Sequence, residues 1–230
     1  MMKPGLKAIA RVAGLTMLAA FGLAILQGML SDDGLLTTAA EEGGKDGLAG
    51  MLWSRSLTHW GTIIIGLVGV VAFYLLLVPI NRLLAMVATL LKLAAVVATG
   101  FTLYHTGGMR GTLLKEGGGS DLVSIAEAVI AYDFDTFHYG LIATSVAAAI
   151  SFALFFHSRM IPRWLAGYGV LASVGAAIGA SAIYVAPPLS DLMFPAYAAF
   201  NGLAYVSLML WLIIAGVNLD HWTPQQGRSV

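Results

Sequence analysis

Six apolar runs, each about 20 residues long, constrain the fold of this chain more than any other feature. They span roughly residues 8–30, 59–78, 83–104, 137–157, 164–185 and 194–217. An α-helix of that length crosses the hydrocarbon core of a bilayer, which is about 30 Å thick. The runs therefore predict an all-α fold over residues 1–230, a single domain formed by a polytopic transmembrane bundle of six helices.

The composition agrees with a surface that faces lipid. Of the residues, 59% are hydrophobic and only 10% are charged, whereas a soluble domain carries about a quarter charged residues. The formal net charge is zero, which argues against nucleic acid as a partner. No cysteine is present, so thiolate metal sites and cysteine nucleophiles are excluded. Membrane lipid, and possible association with another membrane protein subunit, are the expected partners.

The distribution of positive charge predicts the orientation in the membrane. Lys3, Lys7 and Arg11 precede the uninterrupted apolar stretch Val12–Leu30 of the first run, but no small-x-small cleavage site ends it, so we expect a retained helix. With the N-terminus in the cytoplasm, seven of the 12 Lys and Arg residues lie on the cytoplasmic side. The sequence thus predicts a multi-pass protein of the bacterial cytoplasmic (inner) membrane, with both termini in the cytoplasm.

Two long connections on the opposite side, Ser31–Thr58 and His105–Thr136, indicate where a function could lie. Each has apolar residues near helical spacing, which predicts short helices on the outer membrane surface. These residues are Leu48, Met51, Leu52 and Trp53 in the first connection, and Leu122, Ile125, Val129, Ile130 and Phe134 in the second. Because long ordered loops carry function more often than short turns, we expect the working face on the outer side.

Lys92 is the one charged residue near the middle of an apolar run, the third. A lysine at the bilayer centre costs about 2.5–3.5 kcal/mol, so its side chain should face the bundle or a water-filled cavity. Three roles are open: a structural lysine satisfied by carbonyls or hydroxyls, a contact to a ligand or ion, and a Schiff-base or relay lysine. Asn201 and Tyr205, in the sixth run, are candidate ligand-binding partners of Lys92.

Three histidines fall at the outer ends of adjacent runs: His59, His105 and His138. Imidazoles from neighbouring helices can hold a metal ion or, in pairs, a b-type haem. Histidines at helix ends in the membrane interface also occur without any such role. The sequence itself does not identify a cofactor.

Three stretches carry a resemblance to a known family. They are Pro79–Ala85, Ser158–Gly169 and the closing Leu208–Gly216. Together with six runs in 230 residues, they resemble the bacterial membrane proteins classed as domain of unknown function 4386, over essentially the whole chain. That family has no established activity, so the resemblance implies a six-helix fold and no catalytic residues.

No nucleophile motif, phosphate-binding loop, HExxH motif or intramembrane carboxylate is present, which favours a non-enzymatic role. The leading hypothesis is a ligand-binding protein or an accessory subunit with its working face outside. The first alternative is a facilitator of small solutes or lipids that uses Lys92. The second is a haem or metal redox protein that uses the three outer histidines.

Overall fold

The computed structural model describes residues 3–30, 33–115 and 122–218, and within them the chain is helical with no strand. The helices are α1 (Lys3–Leu30), α2 (Asp33–Glu41), α3 (Gly44–Leu77), α4 (Arg82–Lys115), α5 (Leu122–Ser158), α6 (Arg163–Val185) and α7 (Pro187–Ile214). All except α2 are long and apolar enough to cross a membrane. The predicted all-α fold with six transmembrane helices is thereby confirmed.

Three of the helices are longer than the bilayer requires. Helices α3 and α4 have 34 residues each and α5 has 37. At 1.5 Å per residue they measure about 51, 51 and 55 Å, against a hydrocarbon core of about 30 Å. A tilt of about 20° shortens them only slightly. Each therefore extends beyond the hydrocarbon by more than two helical turns.

These extensions occupy most of the segments predicted as outer connections. In the first connection, the residues expected to form a separate short helix, Leu48–Trp53, belong instead to α3, and the short helix α2 lies earlier, at Asp33–Glu41. In the second, the helix expected near Leu122–Phe134 continues without a break into α5. No proline lies within α5, so nothing in its backbone ends the helix where the apolar run begins.

The chain forms two compact units, and the first contains the described residues of 1–18, 67–95 and 141–230. Its buried core is formed mainly by aliphatic and aromatic side chains from six helices. Among them are Leu6, Ala10, Phe73, Leu76, Phe152, Phe155, Leu165, Leu208 and Leu212. Close helix packing depends on glycine at two points of α6, because a Cβ at Gly169 would overlap Phe152 and one at Gly179 would overlap Tyr197.

Two short turns in this unit have clear local causes. Between α3 and α4, Asn81 caps the helix, since its Oδ1 accepts the Leu84 N–H at 3.0 Å. Between α5 and α6, Arg159 adopts a left-handed conformation with φ 56°. Pro162 is the N-cap of α6, and the Asn218 N–H donates to the Met160 carbonyl at 2.8 Å. This turn is thus tied to the segment that follows α7.

The second unit contains the described residues of 19–66 and 96–140. It has a small apolar core of its own, contributed by α2, α3 and α5. The buried members are Leu36, Ala40, Leu48, Ala49, Leu52, Ala126 and Val129. The unit also contains most of the buried polar side chains described below.

Candidate functional site

A row of buried residues on α3 continues from the apolar core of the second unit into a polar cluster. Leu48, Leu52, Arg55 and His59 follow one another at spacings of four, three and four residues, which aligns them on one helix face. All four are buried. Arg55 lies 22 residues before Leu77, or about 33 Å along the helix axis, so it sits near the boundary of a hydrocarbon core about 30 Å thick.

Arg55 and Asp133 form an ion pair at this level, joining α3 to α5. Their side chains are 2% and 14% exposed, so both charges are largely removed from water. Arg55 Nη1 also donates to the Leu30 carbonyl at 2.8 Å, which satisfies an acceptor at the C-terminal end of α1. Removing an ion from water costs several kcal/mol, so such a pair is held only when each charge compensates the other.

His59, one turn further along α3, belongs to a second polar contact. Gln27 Nε2, from α1, lies 2.9 Å from His59 Nδ1 and donates to Thr62 Oγ1 at 3.2 Å. The imidazole is therefore engaged by a neutral amide, and the helices α1 and α3 are joined by side-chain hydrogen bonds within the apolar environment of the bundle.

His105 and His138 have separate surroundings. The His105 ring stacks on Tyr132, with 3.9 Å between ring centroids and 13° between planes. His138 Nδ1 lies 2.7 Å from the Phe134 carbonyl, one turn back on its own helix. Among the described residues, no group of three or more His, Cys, Asp or Glu side chains converges to hold a metal ion. The structure thus does not bring His59, His105 and His138 into one metal site.

Two threonines form a further polar contact in the second unit. Thr102 Oγ1 donates to Thr136 Oγ1 at 2.9 Å, linking α4 to α5, and the Thr136 hydroxyl also lies 2.6 Å from the Tyr132 carbonyl. This pair is uncharged and partly buried, in the same unit as the ion pair. It therefore provides a natural comparison for the effect of charge.

Lys92 lies in the first unit, where its Nζ is 3.4 Å from the centroid of the Phe73 ring. Its Cα is ten residues past Arg82, about 15 Å along α4, whereas Phe73 is four residues, about 6 Å, from the end of α3 at Leu77. Helical side chains point towards their own N-terminus, so the lysine reaches back towards the α3–α4 turn. The ammonium group is held by a cation–π contact closer to the interface than the sequence position suggests.

Asn201 and Tyr205 lie one turn apart on α7. Asn201 Oδ1 and the Tyr205 hydroxyl are buried and have no hydrogen-bond partner among the described residues. Tyr205 packs against the same core as Phe73. The structure forms no hydrogen bond between Lys92 and either residue, so the proposed three-residue ligand set stays a prediction.

The Arg55–Asp133 pair was not predicted from the sequence, because both residues fall in the segments predicted as outer connections. The helical spacing of Leu48, Leu52, Arg55 and His59 is the signal that could have revealed it. On α5, Val129, Asp133 and Thr136 follow the same spacing. A charged residue that shares a helix face with apolar core residues is expected to be buried.

These features define a multi-pass helical membrane protein, since six helices are long and apolar enough to span a bilayer. The chain belongs to the family described as "Domain of unknown function (DUF4386)", whose family model matches residues 12–216. The resemblance expected from the sequence is confirmed over nearly the whole chain. No curated protein and no solved structure matches this sequence.

Proposed function

We propose that the protein is a non-enzymatic binding component of the bacterial cytoplasmic membrane, receiving a polar ligand or a partner subunit at its second unit. The observation that supports this most directly is the ion pair between Arg55 and Asp133. It lies in the part of α3 and α5 that is not needed to cross the hydrocarbon core.

A buried ion pair stabilises the packing of two helices no better, and often less, than apolar residues of similar volume do. Replacing a buried ion pair by apolar residues of similar volume is often neutral or stabilising by about 1–4 kcal/mol. Leu48, Leu52 and Val129 already pack α3 and α5 together in this unit. A charged pair in register with that core therefore supports a role in recognition, because a ligand or a partner side chain can exchange contacts with either charge.

The orientation proposed for this component has its binding end outside the cell. The α3–α4 and α5–α6 turns carry Arg82, Arg159 and Arg163, and short loops rich in Lys and Arg face the cytoplasm. The opposite helix ends, which include Arg55 and Asp133, would then face outwards. Both termini would be cytoplasmic.

The proposal is tested by native mass spectrometry of gently extracted protein and of the double variant Arg55→Met/Asp133→Leu. The double variant removes both charges at once, so neither is left buried without its counter-charge. We expect the wild type to retain a bound molecule or subunit and the folded double variant to lose it. The matched control is Thr102→Val/Thr136→Val, which removes an uncharged polar contact of the same unit and should retain the bound species.

Two results would contradict the proposal. One is a wild-type protein that carries no bound species under conditions in which it stays folded. The other is equal retention by wild type and by Arg55→Met/Asp133→Leu. An absorption spectrum of the same sample tests the haem alternative, since a Soret band would assign a redox role to the histidines.

A further inference from the structure

The end of the first unit that carries the α3–α4 and α5–α6 turns is strongly basic. Exposed cations lie at the start of α1, at the start of α4, and in and just after the α5–α6 turn. They are Lys7, Arg11, Arg82, Arg159 and Arg163. Each has a neighbour within three residues that is buried in the core of this unit. These neighbours are Leu6, Ala10, Ala85, Met160 and Leu165. The cations therefore surround one end of a single packed structure.

Direct contacts bring the start of α1 and the α5–α6 turn together. A Cβ at Gly216 would lie 3.9 Å from the Lys7 Cβ, so the start of α1 packs against the segment that follows α7. The Asn218 N–H, two residues further on, donates to the carbonyl of Met160, the neighbour of Arg159. Cations from α1 and from the turn thus flank the same short segment. We call the surface formed by Lys7, Arg11, Arg82, Arg159 and Arg163 the basic end.

No carboxylate balances this charge in the part of the first unit that the structure describes. None of the five cations forms an ion pair with a described residue. The ranges 3–18, 67–95 and 141–218 contain one acidic residue, Asp191, which lies 23 residues before Ile214, about 35 Å away along α7. In the sequence after residue 218, Asp220 is matched by Arg228. The basic end therefore attracts a partner that supplies negative charge.

The depth of the basic end favours lipid headgroups as that partner. Helix α6 begins at Arg163 and has 23 residues, about 35 Å, which slightly exceeds a hydrocarbon core of about 30 Å. Trp164 is 70% exposed, as expected of an aromatic residue at the membrane interface. The turns 78–81 and 159–162 are short, so the arginines beside them stay at the level of the helix ends. Lipid phosphates lie at this level, whereas an acidic soluble protein would have to enter the headgroup layer.

We propose that the basic end binds the phosphates of anionic membrane lipids and concentrates these lipids around the first unit. Arginine and lysine donate charge-assisted hydrogen bonds to phosphate oxygens, and a net negative headgroup is preferred to a zwitterionic one. The surface lies in a different unit from the Arg55–Asp133 pair and uses neither residue. It therefore stands independently of the proposed binding function, and each can fail without the other.

The test uses protein in vesicles of phosphatidylethanolamine with a minor fraction of phosphatidylglycerol. Native mass spectrometry of protein released from these vesicles gives the ratio of bound phosphatidylglycerol to bound phosphatidylethanolamine. The wild type should show a higher ratio than the vesicles themselves. Arg159→Gln/Arg163→Gln should lower it by about 5- to 25-fold, since one basic residue near an anionic surface contributes about fivefold. Both leaflets have the same composition, so the result does not depend on orientation.

Two further variants separate charge from structure. Arg159→Lys/Arg163→Lys is the matched control, because it keeps both charges, and lysine and glutamine meet the same backbone strain at residue 159, whose φ is 56°. It should keep the ratio of the wild type. Lys7→Gln/Arg11→Gln removes two exposed charges from another helix and leaves the α5–α6 turn intact. It should lower the ratio to a similar extent.

Several results would overturn the proposal. One is a wild type no richer in phosphatidylglycerol than the vesicles, and another is an equal ratio in the wild type and both glutamine variants. A loss in Arg159→Lys/Arg163→Lys as large as in Arg159→Gln/Arg163→Gln would contradict a role for charge. At about 1 M salt, where the Debye length is about 3 Å, the ratio should approach that of the vesicles. A ratio that does not change with salt would contradict the electrostatic basis.

Discussion

Breaking the Arg55–Asp133 pair on one side should cost much more stability than removing it altogether. Asp133→Leu leaves a guanidinium that is 2% exposed without its carboxylate, and the loss of one partner of a buried pair costs about 3–5 kcal/mol. Arg55→Met leaves a carboxylate that is 14% exposed and partly reached by water, so its cost should fall at the lower end.

The double variant provides the decisive comparison. Arg55→Met/Asp133→Leu removes both charges of the pair and adds apolar contacts, but it loses the bond from Arg55 to the Leu30 carbonyl, worth about 0.5–1.5 kcal/mol. We therefore expect the double variant to lose no more than about 1.5 kcal/mol. The coupling energy of the cycle should then exceed about 3 kcal/mol.

The free energy of unfolding can be measured by reversible titration with a denaturing detergent, followed by tryptophan fluorescence. The Thr102→Val/Thr136→Val cycle is the control, because its neutral hydrogen bond of 2.9 Å should couple by only about 1 kcal/mol. If the losses of the two charge variants simply add within about 0.5 kcal/mol, the pair is not the compensated buried unit described here.

Three further predictions concern the rest of the chain. Lys92→Met should change the free energy of unfolding by no more than about 2 kcal/mol, which is the value of a desolvated cation–π contact. If the same variant changes solute flux in liposomes, that result would instead support a transport role for Lys92. Gly179→Ala should destabilise the protein by about 1–3 kcal/mol in thermal unfolding, because its Cβ meets the tyrosine ring of α7, whereas Gly175→Ala has open space and should not. The chain has no cysteine, so a membrane-impermeant maleimide added to whole cells should label the exposed variant Glu42→Cys and not His157→Cys; the reverse pattern would refute the proposed orientation.

The sequence predicted the number and type of the membrane helices because about 20 consecutive apolar residues have one physical solution in a bilayer. It did not predict the full length of α3, α4 and α5. Hydropathy reports where a helix leaves the hydrocarbon, whereas a helix ends only where its backbone is interrupted or capped. The ion pair was not predicted for the same reason. Arg55 and Asp133 share helix faces with apolar core residues, and this pattern can be recognised only when the extensions are assigned as helix.

Lys92 shows a different limit of sequence reasoning. Its position in the apolar run fixed the depth of its Cα, but a transmembrane helix is apolar all round and gives no indication of which neighbour a side chain meets. The direction of the Lys92 side chain along α4 determines which group its ammonium contacts. Because it points back towards Arg82, the ammonium meets the Phe73 ring near the turn.

The extensions of α3, α4 and α5 are the best argument that this protein does more than occupy the membrane. An anchor needs about 20 residues per helix, whereas these three carry 14 to 17 more each, judged from their lengths of 34 and 37 residues. A small apolar core and side-chain contacts, including a charged pair, hold part of the second unit together. Recognition requires polar groups held by a rigid scaffold, and the Arg55–Asp133 pair is such a group, since it joins α3 to α5 beside that core. The charged pair of this chain therefore lies in the extensions of α3 and α5, beyond the length that anchoring in the membrane requires.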